Sequence, residues 1–461
     1  MDPSSFHIAM FPWFAMGHMT PYVHLANELA SRGHHITILV PKKARDQLQH
    51  LNLHTNLITF CPVLVPHVEG LPEGAETASE IPLSACSLLA TAMDKTRKQL
   101  EEYLEVHMPD MVFYNLSHWI PELTRKLGIK SVCYNVVSAA SLAITIVPAR
   151  NVPKGRPITP EEIENPPAGY PSETVVLRGA EARSLMYITT LFGDGITFYD
   201  RMTTAMKECD AISIRTCREL EDDMCDYMEA QFNKTVLLTG PVFALGDKKG
   251  TLEERWAKWL GGFEPGSVVF CAFGSQFILE KEQFQELVLG FELTGLPFFI
   301  ALKPPVGCDS VEEALPDGFE ERVKGRGVVF GGWVQQPLIL SHASVGCFVN
   351  HCGFGSMWES LMTDNQIVLV PQVGDQFLNT KLLVKELKVA VEVEKAANGR
   401  FSKESLCKAI RSVMDKESDV GIMIKKNHAK WIETLSSQGF MSGYVDRFVQ
   451  SLKELCKVAR V

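Results

Sequence analysis

The chain has 461 residues, 46% of them hydrophobic and 22% charged, a balance that excludes wholesale disorder and leaves room for two or three domains. A formal charge of −10 argues against a generic nucleic-acid or anionic-membrane surface while leaving room for a local small-anion site. Twelve scattered cysteines with no CxxC pair read as reduced thiols in a reducing, cytoplasmic compartment, and no run of about 20 apolar residues predicts a membrane span.

Short apolar runs alternate with longer helical stretches. Residues 6–11 read as a strand, followed by a loop over 12–21 and a helix over 22–32 that ends at Gly33. Strands are then expected at 35–40, 57–65, 111–115, 131–135 and 211–214, with a helix over 94–106. After a boundary at 236–242 the pattern restarts. Strands are expected at 267–273, 298–302, 328–330, 346–350, 367–370 and 389–393, and helices at 280–292, 356–362 and 376–387. This alternation predicts two doubly wound α/β domains with parallel sheets covered on both faces. They are expected at 1–242 and 250–442, joined near 243–249, with a last helix over 443–461 packing back on the first domain. Residues 150–183, rich in Pro and Gly, read as a surface insertion in the first domain.

The segment 333–376 carries the densest signal, WVQQPLILSHASVGCFVNHCGFGSMWESLMTDNQIVLVPQVGDQ. His351 stands at the end of an apolar strand, before Gly353, Gly355 and Ser356. A helix starting there points free N–H groups and its positive dipole end at an anion, which suits a diphosphate. Cys347, His351 and Cys352 fit no standard zinc spacing.

This 44-residue stretch, with its WxxQ start, HCG…ES middle and P…DQ end, resembles the box of the plant family 1 UDP-glycosyltransferases of secondary metabolism. GHMTP near the start and FGS at 273–275 extend the resemblance over essentially the whole chain. It implies the GT-B fold, two Rossmann-like domains facing a cleft, and a UDP-sugar donor. By the same resemblance Trp333 stacks on uracil, Val334 meets the base edge through its backbone, and Gln336 and Glu359 hold the ribose. Ser275, His351, Gly353, Gly355 and Ser356 surround the diphosphate, and Asp375 and Gln376 meet the sugar hydroxyls. Phe354 and Gly355 replace the usual Trp and Asn. HCGFGSMWES is similar to the branch that adds a sugar to flavonoid or other phenolic glycosides. That branch uses UDP-glucose, favoured by Gln376, then UDP-rhamnose, then UDP-xylose.

On the acceptor side, His18 in GHMTP resembles the family's general base, suited to its task by a pKa near 6.5. Phe14, Ser138 and Phe354 join it in contacting acceptor and sugar. The family's partner for the base is an Asp; MVFYNLSHW places Asn115 there. Asn115 could accept a hydrogen bond from the imidazole N–H through its carbonyl, another acid could take over, or the chain could be an inactive UDP-sugar-binding relative. A nicotinamide-dependent dehydrogenase is disfavoured because no GxGxxG follows a strand. With no DxD clamp in the sequence, neither metal nor cofactor is expected: the UDP-sugar is a co-substrate and the phenolic glycoside the other partner, acting on a monomer.

Overall fold

The computed structural model describes residues 5–243 and 250–457. Of the expected linker, 244–249 lies outside them, as does the tail 458–461 of the last helix. The chain divides into two compact units. One comprises Met1–Ser172, Leu185–Phe243 and Gln438–Val461, the other Glu173–Ser184 and Ala244–Ser437.

The first unit is built on a seven-stranded sheet: β1 (His7–Phe11), β2 (His35–Pro41), β3 (Ile58–Val63), β4 (Met111–Tyr114), β5 (Lys130–Asn135), β6 (Ala211–Ile214) and β7 (Val236–Leu238). Their order is β3-β2-β1-β4-β5-β6-β7, all parallel. The strands are nearly continuous apolar runs because helices cover both faces. The helix Phe440–Lys457 buries Val445, Phe448 and Leu452 in the same core as Ile8, Met10 and Phe113.

The second unit holds six parallel strands: β8 (Val268–Ala272), β9 (Phe298–Ala301), β10 (Gly327–Phe330), β11 (Val345–Asn350), β12 (Gln366–Leu369) and β13 (Ala390–Glu392). They run in the order β10-β9-β8-β11-β12-β13. Side chains alternate cleanly: Val269, Cys271 and Phe273 enter one core, Val268, Phe270 and Ala272 the other. At Gly346 a Cβ would lie 2.0 Å from the Gly266 carbonyl oxygen, and the β8–β11 register shifts at that residue.

Four expectations are corrected. The first helix is Met16–Ala30, so it starts six residues early and runs through Pro21. Pro21 is the sixth residue of that helix and withholds the N–H that would reach the Gly17 carbonyl, a loss set against the burial of Met19, Tyr22, Val23, Leu25 and Ala26 around it. The helix expected over 94–106 begins at Arg97 and runs to His107, while Asp94 closes a separate helix, Cys86–Asp94; between them the Thr96 hydroxyl donates to the Met93 carbonyl at 2.6 Å. Residues 376–387 are the α-helix Asp375–Lys381 followed by a wider π-turn, Leu382–Glu386. Residues 150–183 are not a surface insertion of one domain: Ile163, Val175, Val176 and Leu177 are buried, and Glu173–Ser184 counts with the second unit.

Candidate functional site

In each sheet the strand order reverses beside its first strand, between β1 and β4 and between β8 and β11. Open parallel sheets bind ligands at the carboxyl ends of strands beside such a reversal. Among the residues singled out in the sequence, His18, Asn115, Ser275 and His351 lie at these two places, while Trp333 follows β10 and Asp375 follows β12.

In the second unit, β11 ends at Asn350 and the helix Phe354–Leu361 begins four residues later. Two buried asparagines that sequence reasoning missed hold the turn between them. The Asn350 carbonyl oxygen accepts from the Cys352 N–H at 2.8 Å, and the Asn379 amide donates to the Cys352 carbonyl at 3.0 Å. Cys352 is thereby kept at φ +58°. The helix is capped by Gly353, which has no side chain to occupy the first N–H groups. Ser356 is its third residue. His351 lies over Gly353 and Gly274, where a Cβ would come within 2.7 and 3.1 Å of its ring. Loss of water around the ring pushes its pKa down to about 4, and its buried Nδ1 has no protein partner. A neutral imidazole, a Ser hydroxyl and an open helix N-terminus form an anion cradle. Ser275 is exposed just past the end of β8, across the reversal, and Gly355 has open space where a side chain would be.

Beyond β10, Trp333 is 73% exposed, an unusual state for an indole and a ready stacking platform. Val334 is buried beside it, its carbonyl accepting the Gln336 N–H at 2.9 Å. Gln336 opens the helix Gln336–Leu340 and donates to Glu359 at 2.5 Å, so amide and carboxylate are brought together. Asp375 is the first residue of its helix, and Gly374 at φ +55° is the cap. Burial raises the Asp375 pKa to about 6, and the Asn379 amide donates to its carboxylate at 3.2 Å. Gln376 is turned inward: its carbonyl oxygen accepts from the Gln372 and Val373 N–H groups at 2.9 and 3.1 Å, which leaves only the amide N–H for a ligand.

In the first unit, His18 belongs to the first turn of the helix Met16–Ala30 and not to a loop. It is half-buried, and desolvation pushes its pKa down to about 4, well below the expected 6.5. Asn115 follows β4, is 1% exposed, and sits between two partners. Its carbonyl oxygen accepts from the Trp13 backbone N–H at 2.7 Å, and its amide nitrogen lies 2.7 Å from His18 Nδ1. A backbone N–H can only donate, so it fixes which way the amide faces. The expected contact of the Asn115 carbonyl with the imidazole is therefore reversed. The loop carrying Asn115 is anchored by fully buried Arg201, which donates to the Leu116 carbonyl at 2.9 Å, to the Phe192 carbonyl at 2.7 Å and to Asp94 at 3.0 Å. Trp119 also donates to Asp94, at 2.9 Å. Neither Asp94 nor Arg201 stands out in the sequence, 107 positions apart.

Two residues expected to touch the acceptor do not offer it any surface. Phe14 is fully buried, edge-on to Phe11 at 5.7 Å. Ser138 is fully buried because its hydroxyl caps the helix Ala139–Thr145 and pairs with Ser141 at 2.7 Å. Phe354 is also buried, edge-on to Trp358 at 5.8 Å.

The family model for "UDP-glucoronosyl and UDP-glucosyl transferase" matches residues 318–447. The chain is 55% identical to UDP-glycosyltransferase 79B6 of Arabidopsis thaliana, over 98% of each chain. It is 54% identical to the anthocyanidin 3-O-glucoside 2'''-O-xylosyltransferase of the same plant, over 99% of this chain and 98% of that one. Among solved structures, it resembles Arabidopsis thaliana UGT89C1 complexed with UDP-L-rhamnose with a TM-score of 0.77 at 24% identity, covering 98% of this chain and 99% of that one. Glycyrrhiza uralensis UGT73P12 complexed with glycyrrhetinic acid 3-O-monoglucuronide gives 0.78 at 20%, covering 98% and 96%. At these identities the likeness speaks for the fold, which is GT-B.

Proposed function

The chain belongs to the UDP-glycosyltransferase family and is an enzyme of it, and from that premise we propose that it moves a sugar, with inversion, from a UDP-sugar to a sugar hydroxyl of a flavonoid or other phenolic glycoside. The observation that carries the acceptor class is the 54% identity, along the whole chain, to a relative named for transfer onto an anthocyanidin glucoside. The donor side is supported by the exposed Trp333 platform, the Gln336–Glu359 pair and the open helix N-terminus under His351. In this reading Trp333 stacks on uracil beside the Val334 backbone, and Gln336 and Glu359 hold the ribose. Ser275, His351, Ser356 and the N–H groups following Gly353 take the diphosphate. The leaving group is stabilised by these donors, without a metal or other cofactor. Asp375 and the Gln376 amide receive the sugar. UDP-glucose, UDP-rhamnose and UDP-xylose all carry hydroxyls for that pair. The test is UDP release from each donor in the presence of a flavonoid glucoside, with EDTA in a parallel series. Turnover with at least one donor, unchanged by EDTA, is expected; dependence on added Mn²⁺ would reject the leaving-group assignment.

The acceptor hydroxyl attacks the anomeric carbon, His18 takes its proton, and UDP departs. With its pKa lowered to about 4, the His18 ring is neutral at cytoplasmic pH, as a base must be, though weaker than one poised near 7. A cytoplasmic monomer is the setting we assign, in keeping with twelve free cysteines and, among the described residues, no helix long and apolar enough to cross a membrane.

Two consequences are measurable on the donor side. Trp333→Ala should weaken UDP binding by about 1–3 kcal/mol with the fold intact, because a stacking face is lost and nothing in the core moves; calorimetry with an unchanged Kd would remove Trp333 from the site. Sugar hydroxyls donate more strongly to ionised Asp375 than to its protonated form, which keeps one good acceptor oxygen and loses the charge. With its pKa near 6, KM for the UDP-sugar should rise as pH falls through 6, while the affinity for UDP alone stays level. Asp375→Asn should flatten that dependence, and a wild-type KM constant from pH 5 to 8 would contradict the assignment.

A further inference from the structure

We propose that Asn115 holds His18 at rest in the tautomer that carries its proton on Nε2, so that the ring becomes a base at Nε2 only after the Asn115 amide turns over. The proposal rests on His18 being the base, as read above, and makes Asn115 a positioning residue that keeps the base switched off.

The chain of contacts leaves no other assignment. Trp13 presents a backbone N–H, and only an acceptor satisfies it; the Asn115 carbonyl oxygen does so at 2.7 Å. The amide end then faces His18 Nδ1 at 2.7 Å. An –NH2 group has donors and no acceptor, so Nδ1 must be the bare nitrogen. A neutral imidazole has one N–H, which then sits on Nε2. With Asn115 1% exposed, no solvent replaces either partner. Nor does the residue shift as a body. Its own carbonyl accepts from the Ser117 N–H, Leu116 beside it is held at φ +43°, and the Leu116 carbonyl is bound by buried Arg201 at 2.9 Å.

In the working form the ring has given its Nε2 proton to solvent and taken one up at Nδ1, and the reversed amide accepts from that Nδ1–H through its carbonyl. The acceptor's proton then passes to Nε2, the oxygen's electron pair forms the bond to the anomeric carbon, and the bond to UDP breaks with its pair on the departing diphosphate. The imidazolium later releases its proton to solvent. Reversal leaves the Trp13 N–H against an –NH2, a buried donor without an acceptor. That penalty corresponds to a working population lower by about tenfold to a hundredfold. An aspartate at this position removes the conflict. One oxygen accepts from Trp13, the other from Nδ1–H, and Nε2 keeps its lone pair without any rotation.

The experiment is nitrogen-15 NMR of the full-length protein labelled at histidine, with the His18 signals identified by their loss in His18→Gln, alongside steady-state kinetics. In the wild type, His18 should show a bare Nδ1 and a protonated Nε2. In Asn115→Asp the two should exchange, and kcat should rise about tenfold to a hundredfold with the Kd for UDP unchanged. A wild-type spectrum with the proton on Nδ1 overturns the proposal. So does an Asn115→Asp enzyme whose proton has moved and whose kcat has not risen. The wild-type spectrum needs no turnover and no variant beyond the one that identifies the signal. It therefore fails separately from the base assignment, which stands or falls on removing His18.

Discussion

His18→Ala is expected to lower kcat by about a hundredfold or more while UDP binds as before. A positioned general base contributes about 10²- to 10⁴-fold. The lower end is expected here because the ring works from a minority tautomer, so less is lost when it is removed. Its partner supplies no charge: Asn115 offers an amide at 2.7 Å where a carboxylate would stabilise the imidazolium. The same substitution made in the Asn115→Asp protein should therefore be the more damaging of the two, and the difference measures the coupling between the residues. The loss should be nearly independent of pH between about 6 and 8. Burial lowers the His18 pKa to about 4, so its neutral form prevails until pH falls through that value. A His18→Ala enzyme within threefold of the wild-type kcat, with UDP affinity intact, would remove His18 from the reaction.

Arg201→Met should destabilise the first unit by about 3–5 kcal/mol, the usual cost of deleting one partner of a buried ion pair. Arg201 is fully buried, and its guanidinium is shared among the Asp94 carboxylate and the Leu116 and Phe192 carbonyls. Methionine fills much of the volume but leaves Asp94 with only the Trp119 indole N–H, and two carbonyls lose a donor. Gly193 packs so closely that a Cβ there would lie 2.0 Å from the guanidinium, so the neighbouring backbone has no slack to close around a smaller group. A urea titration following the first unit should show an earlier midpoint. Because the Leu116 carbonyl is one of the lost partners, the Asn115 loop should loosen as well. A midpoint shift equivalent to less than about 1 kcal/mol would mean that the pair is not the anchor described.

Much of this architecture is legible in the sequence because parallel strands covered on both faces must be apolar throughout. Runs such as 268–272 and 345–350 are short and bounded by Gly, Ser or Asn, which favours a buried strand over a buried helix. What escaped depends on contacts between distant residues. Pro21 reads as a stop, yet the helix that carries His18 starts ahead of it and runs through it, because its buried face outweighs the lost backbone bond. The partner of Asp94, Arg201, lies more than a hundred residues away. Strand β7 is three residues long and pairs only with β6, too little for a pattern to mark. In the candidate site, side chains with distinctive chemistry stand out: Trp333, His351 and Asp375 follow strands β10, β11 and β12, and Glu359 lies in the helix after β11. The residues that orient them do not stand out. Asn350 and Asn379 act by shaping the backbone of a turn, and the direction of the Asn115 amide is dictated by a main-chain N–H at Trp13, a group every residue but proline carries. Phe14 and Ser138 show the opposite error, since their residue types suit an acceptor pocket while packing and helix capping consume them.

The most direct measurement is mass spectrometry of the products formed from a flavonoid 3-O-glucoside and, separately, from its aglycone, each with UDP-glucose, UDP-rhamnose or UDP-xylose. The expected result is a diglycoside from the glucoside, with fragmentation placing the new sugar on the existing one, and little product from the aglycone. Transfer to the aglycone alone, or UDP release with no sugar found on either acceptor, would contradict a sugar–sugar transferase.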